Sequence, residues 1–462
     1  MRAVLRLSIR RVILPWLAGC AVLALAPAAL AQDVVGLADA WALAKSNDPT
    51  YQAAISEREA GQANRALGRA PLLPQVNASA GRTKTTGTLE SPDGRGGTST
   101  VDLDYIGRTN QIQATQVLFD WTKIAGLRQG NARADLSLAV FDTKARDTAT
   151  RLVSRYLQAL LSHESLNLAR ADLAASEQYV DIAQRRYDAG EGTITDVREA
   201  TSRRDLSRAN LIQAQDGQVI ARRELQAVIG RDPEHIVGLA PEFRPLPLQP
   251  ATLADWLARA EQANADVRTG RESLRVAERE IDKAFGGHLP AVNAVASRSV
   301  NESESITTRS VSSYQTALGV QLSVPIFSGG QTHAQVQQAR HGRDQAGHQL
   351  EAAQAQVGVD VTRQYRGVIS GAERIAALET AVRASTLSLD AMKKSYAGGI
   401  RSISDILDAQ DQLLKAQRDL AQARLQYVNA RIGLDAVAGD LDDQAIAAAA
   451  ATWFGGPAVD LN

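Results

Sequence analysis

Leu152, Ala159, Leu166, Leu173, Val180 and Tyr187 stand seven residues apart; Val361, Val368, Ile375, Val382, Leu389 and Tyr396 do the same in the same register, at an offset of 209. A strict seven-residue apolar repeat calls for helices underwound to 3.5 residues per turn and supercoiled on their neighbours. Its appearance twice identifies an internal duplication of a long coiled-coil hairpin. Other segments keep pace with it. Leu37-Ala38-Asp39 returns as Leu253-Ala254-Asp255, and Leu73-Pro74-Gln75-Val76-Asn77-Ala78 as Leu289-Pro290-Ala291-Val292-Asn293-Ala294. Gly190, Ile194, Asp196 and Gly230 match Gly399, Ile403, Asp405 and Gly439.

The duplication divides the chain into a first repeat over 32–230, a Pro-rich connector over 231–252, a second repeat over 253–439 and a tail over 440–462. Each repeat reads in the same order. A helix comes first, about Thr50 to Ala70 and Asp266 to Phe285, stopped by Pro71 and Pro74 or by Pro290. A strand pair follows, about 75–118 and 291–326, with polar loops near 87–104 and 300–313. From Gln315 to Ile326 the residues Leu318, Val320, Leu322, Val324 and Ile326 alternate with Ala317, Gly319, Gln321 and Ser323. Period two with one apolar face predicts a half-buried strand, of a length that crosses a membrane. A long helix comes next, 120–187 and 328–396, with Asp120 and Ser328 as N-caps. At close to 70 residues it spans roughly 100 Å. A Gly-rich turn then leads to a return helix, 194–230 and 403–439, capped by Gly230 or Gly439. The first and return helices, stacked end to end, nearly match the long one in length. The fold class is mostly α with transmembrane β, a duplicated set of coiled-coil helices with four strands per chain.

The first 31 residues read as an export signal: Arg2, Arg6, Arg10 and Arg11, an apolar run from Val12 to Leu30, and a small-x-small site at Ala29-Leu30-Ala31. Leu17-Ala18-Gly19-Cys20 offers an alternative, lipidated start at Cys20. Cleavage after Ala31 leaves a cysteine-free chain that depends on packing and assembly for stability. Formal net charge is zero, so bulk charge gives no case for nucleic acid. Aromatic residues make up 4%, too few for large globular cores.

Four strands cannot close a barrel, and an open sheet in lipid leaves its edges unsatisfied. Several chains must therefore pool strands, and the helices below must pool into a ring, which together make a duct. Here the chain resembles a family. Tyr396-Ala397-Gly398-Gly399-Ile400-Arg401-Ser402-Ile403-Ser404-Asp405-Ile406-Leu407-Asp408-Ala409, with Ile194-Thr195-Asp196-Val197, is similar to the periplasmic tips of TolC-family outer-membrane factors. Val324-Pro325-Ile326-Phe327-Ser328-Gly329-Gly330 is similar to that family's strand-to-helix junction. The resemblance implies a homotrimer with a 12-stranded barrel in outer-membrane lipid on an α-helical barrel that extends into the periplasm. It implies a periplasmic adaptor protein and an inner-membrane ABC transporter as partners, in a tripartite type I protein secretion system like that of the cyclolysin exporter. A multidrug efflux pump with an RND partner is the alternative within the family.

The resemblance also assigns residues. Tyr396, Arg401, Asp405, Asp408, Thr195 and Asp196 match positions that close or line the periplasmic constriction. Three-fold symmetry would turn each aspartate into a ring of three charges, repelling by roughly 1–3 kcal/mol per pair, with Arg401 the bridging base. The residues themselves leave other roles open. Thr193 with Asp196, and Ser402 with Asp405, form capping boxes. Asp408 suits a solvated face, and Tyr396 suits a coiled-coil knob. Gly190, Gly192, Gly398 and Gly399 form the tips that meet the adaptor in the family, and Gly190 and Gly399 suit positive φ. Tyr105, Phe119, Trp121, Tyr314 and Phe327 sit at strand ends, as a membrane-interface belt or as packing at the junction.

Nothing in the sequence carries chemistry. The six histidines show no metal-ligand spacing, and P-loop, GxGxxG and GxSxG motifs are missing. The chain reads as a non-enzyme with no cofactor and no metal, driven by a partner. A soluble periplasmic coiled-coil scaffold explains the heptads but not the duplicated strand pairs.

Overall fold

The computed structural model describes residues 34–461, except 93, 95, 306 and 307. The expected signal segment and Cys20 lie outside the described residues. Strand β1 (Val34–Val35) leads into helices α1 (Leu37–Asn47), α2 (Pro49–Gln62) and α3 (Asn64–Arg69). Strands β2 (Gln75–Pro92) and β3 (Thr98–Asp120) follow, then the long helix α4 (Trp121–Asp188) and the return helix α5 (Ile194–Ile229). Strand β4 (His235–Val237) lies in the connector. The order then repeats with α6 (Leu253–Ala263), α7 (Ala265–Phe285), β5 (Ala291–Ser305), β6 (Thr308–Ser323), α8 (Gln331–Ala397) and α9 (Ile403–Ala438). The tail adds α10 (Asp443–Trp453) and β7 (Ala458–Asp460).

The heptad rows are core over most of their length and open toward the tips, where Tyr187 is 42% exposed and Tyr396 half-buried. Leu152, Ala159 and Val361 are fully buried, and Leu166, Val368, Ile375 and Leu389 nearly so. Helix α4 packs along α5 and α7, and α8 along α7 and α9. The first and return helices of each repeat do stack. Asn47 Nδ2 donates to the carbonyl of Ile229 (3.0 Å), at the end of α5. Asn264 Nδ2 donates to the carbonyl of Val437 (2.8 Å), near the end of α9. Each amide thus closes a carbonyl that the helix end leaves without an internal partner.

The sequence pattern missed α1 and α6, because the helical segments are broken rather than continuous. Asp48 caps α2 through Thr50 N, with Pro49 at its first position, and Asn264 caps α7 through Asp266 N and Val267 N. Each polar cap ends one helix and starts another, which breaks the apolar periodicity that one continuous helix would show.

The four long strands form one antiparallel sheet in the order β2-β3-β5-β6. They outrun the expected 75–118 and the loops at 87–104 and 300–313. Gly87 pairs with Leu103 and Leu89 with Val101, inside the supposed loop. Thr- and Ser-rich residues keep β propensity where neither face needs to be apolar. Strand β6 ends at Ser323 rather than 326, ahead of Pro325, which has no N–H for a ladder. Helix α8 begins at Gln331, so Ser328 is not its N-cap. Gly329 and Gly330 turn the chain at φ +62° and +83°, and Ser328 Oγ pairs with Thr332 Oγ1 (3.1 Å). Asp120 does cap α4, accepting from Lys123 N (3.2 Å).

Connector and tail join at mid-height. Strand β4 pairs in parallel with β1 and antiparallel with β7. Tyr156 donates to the carbonyl of Val237 (2.8 Å), and the Tyr427 hydroxyl both accepts from Leu246 N and donates to its carbonyl. Their rings stand edge-to-face with Phe454, and with Phe243 and Trp453.

Gly439 closes α9 at φ +89°, where an added Cβ would lie 2.6 Å from the Ala263 carbonyl oxygen. Gly439→Ala is expected to cost about 2–4 kcal/mol, from the left-handed backbone plus the backbone clash. Thermal unfolding followed by circular dichroism checks it; an unchanged midpoint would contradict the stacked junction.

Candidate functional site: the sheet faces and the hairpin tips

The sheet has two unlike faces. Even-numbered positions carry Val76, Ala78, Ile112, Ala114, Val292, Ala294, Ala296, Leu318, Val320 and Leu322, and register puts them side by side. This apolar face is bare: Leu318 is 83% and Val320 68% exposed. The expected half-buried strand is therefore open on its apolar side within one chain. From Leu322 to Tyr314 the strand advances roughly 27 Å, or about 20 Å across a bilayer at the tilt of barrel strands. The outer edges of β2 and β6 are without a strand partner among the described residues. No helix among the described residues is long and apolar enough to cross a membrane.

Four of the five aromatic candidates fit this face or its base. Tyr314 shares the even face of β6 and is 69% exposed. A bulge between Val117 and Phe119 re-aims the end of β3 and puts Phe119 opposite Val292, on the apolar side. Phe327 is exposed at the junction, and Trp121 lies under the Arg128 guanidinium, 5.2 Å away. Tyr105 departs from the belt. It is odd-numbered, pairs with Thr85 and lies on the opposite, polar face.

About 100 Å away along the long helices, both hairpin turns use one geometry. Gly190 N donates to the Tyr187 carbonyl and Glu191 N to that of Arg186; Gly399 N and Ile400 N repeat this on Tyr396 and Ser395. This is a Schellman close, with Gly190 and Gly399 at φ +76° and +73°. Gly192 is needed for a different reason: a Cβ there would meet Tyr187 N at 3.1 Å. Gly398 has ordinary φ, and a Cβ there would make only van der Waals contacts of 3.6 Å or more, so the turn does not require a glycine there. Ile400, 80% exposed, sits beside Gly399.

The gate candidates separate into two groups. Asp196 and Asp405 complete capping boxes: Asp196 Oδ2 accepts from Thr193 N (3.0 Å), and Asp405 Oδ2 from Ser402 N (2.9 Å). The Ser402 backbone N–H, then its hydroxyl, hold the Asp405 carboxyl below its ordinary value, with Arg401 adding to the effect. Arg401 reaches Asp405 of its own chain at 3.7 Å. Thr195 is exposed in the first turn of α5.

Tyr396 and Asp408 instead join the two hairpins. The Arg186 guanidinium lies 4.7 Å over the Tyr396 ring, and its Nη1 donates to the Tyr396 carbonyl (3.4 Å). Arg203 of α5 holds Asp408 (3.1 Å) and Asp411 (2.7 Å) of α9. Ser404 Oγ donates to Glu199 (2.6 Å). Burial raises the Asp411 carboxyl, and Arg203 pulls it back down. The base on Asp408 is thus Arg203, not Arg401. Sequence reasoning missed Arg186 and Arg203. The only signal was that each stands one or two turns from a named tip residue. Under these ties lies a small apolar cluster of Tyr179, Ala183, Ala200, Leu389, Ile403, Ile406, Leu407 and Leu413, separate from the main core. A small core bridged by solvent-exposed ion pairs marks a segment that opens at low cost.

Comparisons with known proteins agree with one another. The family model described as outer membrane efflux protein matches residues 41–231 and 256–440. The chain is 34% identical to the alkaline protease secretion protein AprF of Pseudomonas aeruginosa, over 97% of this chain and 93% of that one. It is 31% identical to the proteases secretion protein PrtF of Dickeya chrysanthemi, over 91% and 92%. In fold it is similar to the outer membrane protein VceC of Vibrio cholerae, with TM-score 0.74 and 17% identity over 87% of this chain and 96% of that one.

Ser402→Ala removes one side of a capping box and is expected to speed amide exchange in the first turn of α9 about fivefold, the loss of about 1 kcal/mol of cap. The depressed Asp405 carboxyl stabilises the tip above the ordinary carboxylate range, and that contribution is lost as pH falls through its lowered value, below about pH 4. Protection at 403–407, taken relative to the intrinsic exchange rate at each pH, should therefore fall in acid in wild type and less so in Ser402→Ala. Arg203→Ala should instead loosen 404–411 at neutral pH, with Arg203→Lys recovering only part, since a lysine cannot fork between two carboxylates.

Proposed function

Because the chain belongs to the outer membrane efflux protein family, we propose that it is the outer-membrane duct of a tripartite type I secretion system, through which an unfolded protein leaves the cell in one step. The observation that carries this reading is the open, two-faced sheet set on helices of about 100 Å. In lipid each unpaired backbone group costs several kcal/mol, so β2 and β6 need partners. Three copies supply them, with β6 of one chain against β2 of the next, and close a barrel of twelve strands. The apolar face then meets outer-membrane lipid, and the helices form a tunnel in the periplasm.

The hairpin tips form the periplasmic entrance. The Arg186–Tyr396 and Arg203–Asp408 contacts hold neighbouring hairpins together, so opening the tunnel means breaking both. Asp405 and Asp408 each have an arginine within the chain, so the ring they form is largely compensated while shut. Parting the hairpins removes Arg203 from Asp408 and bares that ring to the incoming cargo. The exposed Gly190–Gly192 and Gly398–Ile400 turns are the surface for a periplasmic adaptor. The adaptor couples the duct to an inner-membrane ABC transporter that supplies the energy, and the duct itself does no chemistry.

Protein cargo is favoured over drug efflux because both similar relatives named above are protease secretion proteins. The test supplies this chain to cells that hold an ABC exporter, its adaptor and a secreted protease but lack an outer-membrane partner. Protease in the medium, and a heat-modifiable trimer in the outer membrane, are the expected results. Protease retained in cells that regain drug resistance would move the reading to efflux. A soluble monomer would end the duct reading.

In planar bilayers the wild type should give a small, cation-preferring conductance. Asp408→Asn should reduce the preference, and Arg203→Ala should increase both it and the conductance. Equal values in all three would return these residues to simple helix packing.

A further inference from the structure

Sorting the sheet by face shows where its charges lie. In the lower sheet, over residues 75–86, 104–116, 291–302 and 311–323, the charged residues are Arg82, Lys84, Asp104, Arg108, Arg298 and Glu302. All six are even-numbered, and the register places them on the face that carries the apolar band. Arg298 stands at the band's rim and the others beyond it. Arg108 pairs with Glu302 (3.6 Å) and Lys84 with Asp104 (3.2 Å) on that outer face.

The opposite face carries none over these ranges; at its foot Asp120, brought opposite Ala291 by the bulge, is turned into the cap of α4 and paired with Lys123 (3.6 Å). One row across it reads Ser79, Gln111, Ser299, Gln315, and the next Asn77, Gln113, Ser297, Ala317. Along β3, Gln111 Nε2 donates to Gln113 Oε1 (3.2 Å) and Gln113 Nε2 to Thr115 Oγ1 (3.4 Å). The lumen side is therefore a lattice of amides and hydroxyls that partly satisfy one another.

We infer that the lower barrel, at the level of the apolar band, is a charge-neutral passage fitted to an extended polypeptide carrying side chains of either sign, and that the acidic selection lies at the helical end. The inference rests on the export reading above. An unfolded protein presents a peptide group at every step and charges of both signs. A fixed ring of one sign would hold half of those charges and repel the rest, and low-dielectric walls would strengthen both effects. Amides and hydroxyls already bonded to neighbours exchange hydrogen bonds with a passing backbone at little net gain, which lets the chain leave as readily as it enters.

The test uses the full-length protein in liposomes. Ser299→Cys places a thiol on the proposed lumen face and Ala296→Cys one in the apolar band; the unsubstituted chain, whose one cysteine is Cys20, sets the background. Rates are measured with a cationic and an anionic methanethiosulfonate and compared with free cysteine. The thiol at 299 should react with a cation-to-anion ratio within about threefold of free cysteine, and the thiol at 296 should not react. Gln315→Glu, in the same row, keeps the side-chain shape and adds charge; combined with Ser299→Cys it should raise the ratio at least fivefold, which shows that the assay senses the lumen. A ratio shifted tenfold without that glutamate would overturn the neutral passage, and reaction at 296 but not at 299 would overturn the assignment of faces. If Ser299→Cys fails to assemble, Ser79→Cys in the same row replaces it. Failure of the protease-release assay with these rates as expected would instead count against the export reading and leave the neutral lumen standing.

Discussion

The backbone of β2 and β6 sets the terms for everything else. Each outer edge presents N–H and C=O groups that water satisfies but lipid does not. A sheet with a bare apolar face cannot stay in water, and a sheet with open edges cannot stay in a bilayer. In the assembly proposed above, other copies would resolve both at once, and that closure would fix the strand number, the ring of helices beneath and the passage through both. Stability in one chain resides elsewhere, in the heptad core of α4, α5, α8 and α9 and in the aromatic belt around Tyr156 and Tyr427.

The two ends of the molecule solve opposite problems. At the membrane end the sheet must be permanent, and its ladder runs without a break from Gln75 to Pro92 against β3. At the tip the apolar packing shrinks to one small cluster while exposed side chains join the hairpins. Ion pairs of that kind contribute little in water, which suits the entrance role proposed above.

Much of this was legible in the sequence because it is periodic. Spacings of seven and two report which face a residue takes without knowledge of its neighbours, so the long helices, the duplication and the alternation of β6 could be read directly. Gly190, Gly230, Gly399 and Gly439 were legible because positive φ restricts the residue that fits. Contacts between elements were not. Arg203 and Arg186 look like ordinary solvated arginines until α5 and α4 lie beside the second hairpin. Tyr105 was assigned by its place near a strand end, but parity, which was available, puts it on the polar side. Ser328 has the chemistry of a cap, yet two flexible glycines behind it let the helix start three residues later. Helices α1 and α6 were hidden by caps within what seemed a single segment.

The Arg186–Tyr396 contact has a consequence for the origin of the molecule. At the repeat offset of 209, Tyr396 corresponds to Tyr187, but Arg186 corresponds to Ser395. The second hairpin therefore has no guanidinium to return, and the contact runs one way, from the first half to the second. A ring of six identical single-repeat subunits would make such a contact at every junction or at none, not at alternate ones. Fusing two repeats into one chain freed them to diverge, so the two hairpins of one chain are no longer equivalent. Unlike neighbours permit a contact with two distinct sides, one hairpin supplying the guanidinium and the other the ring.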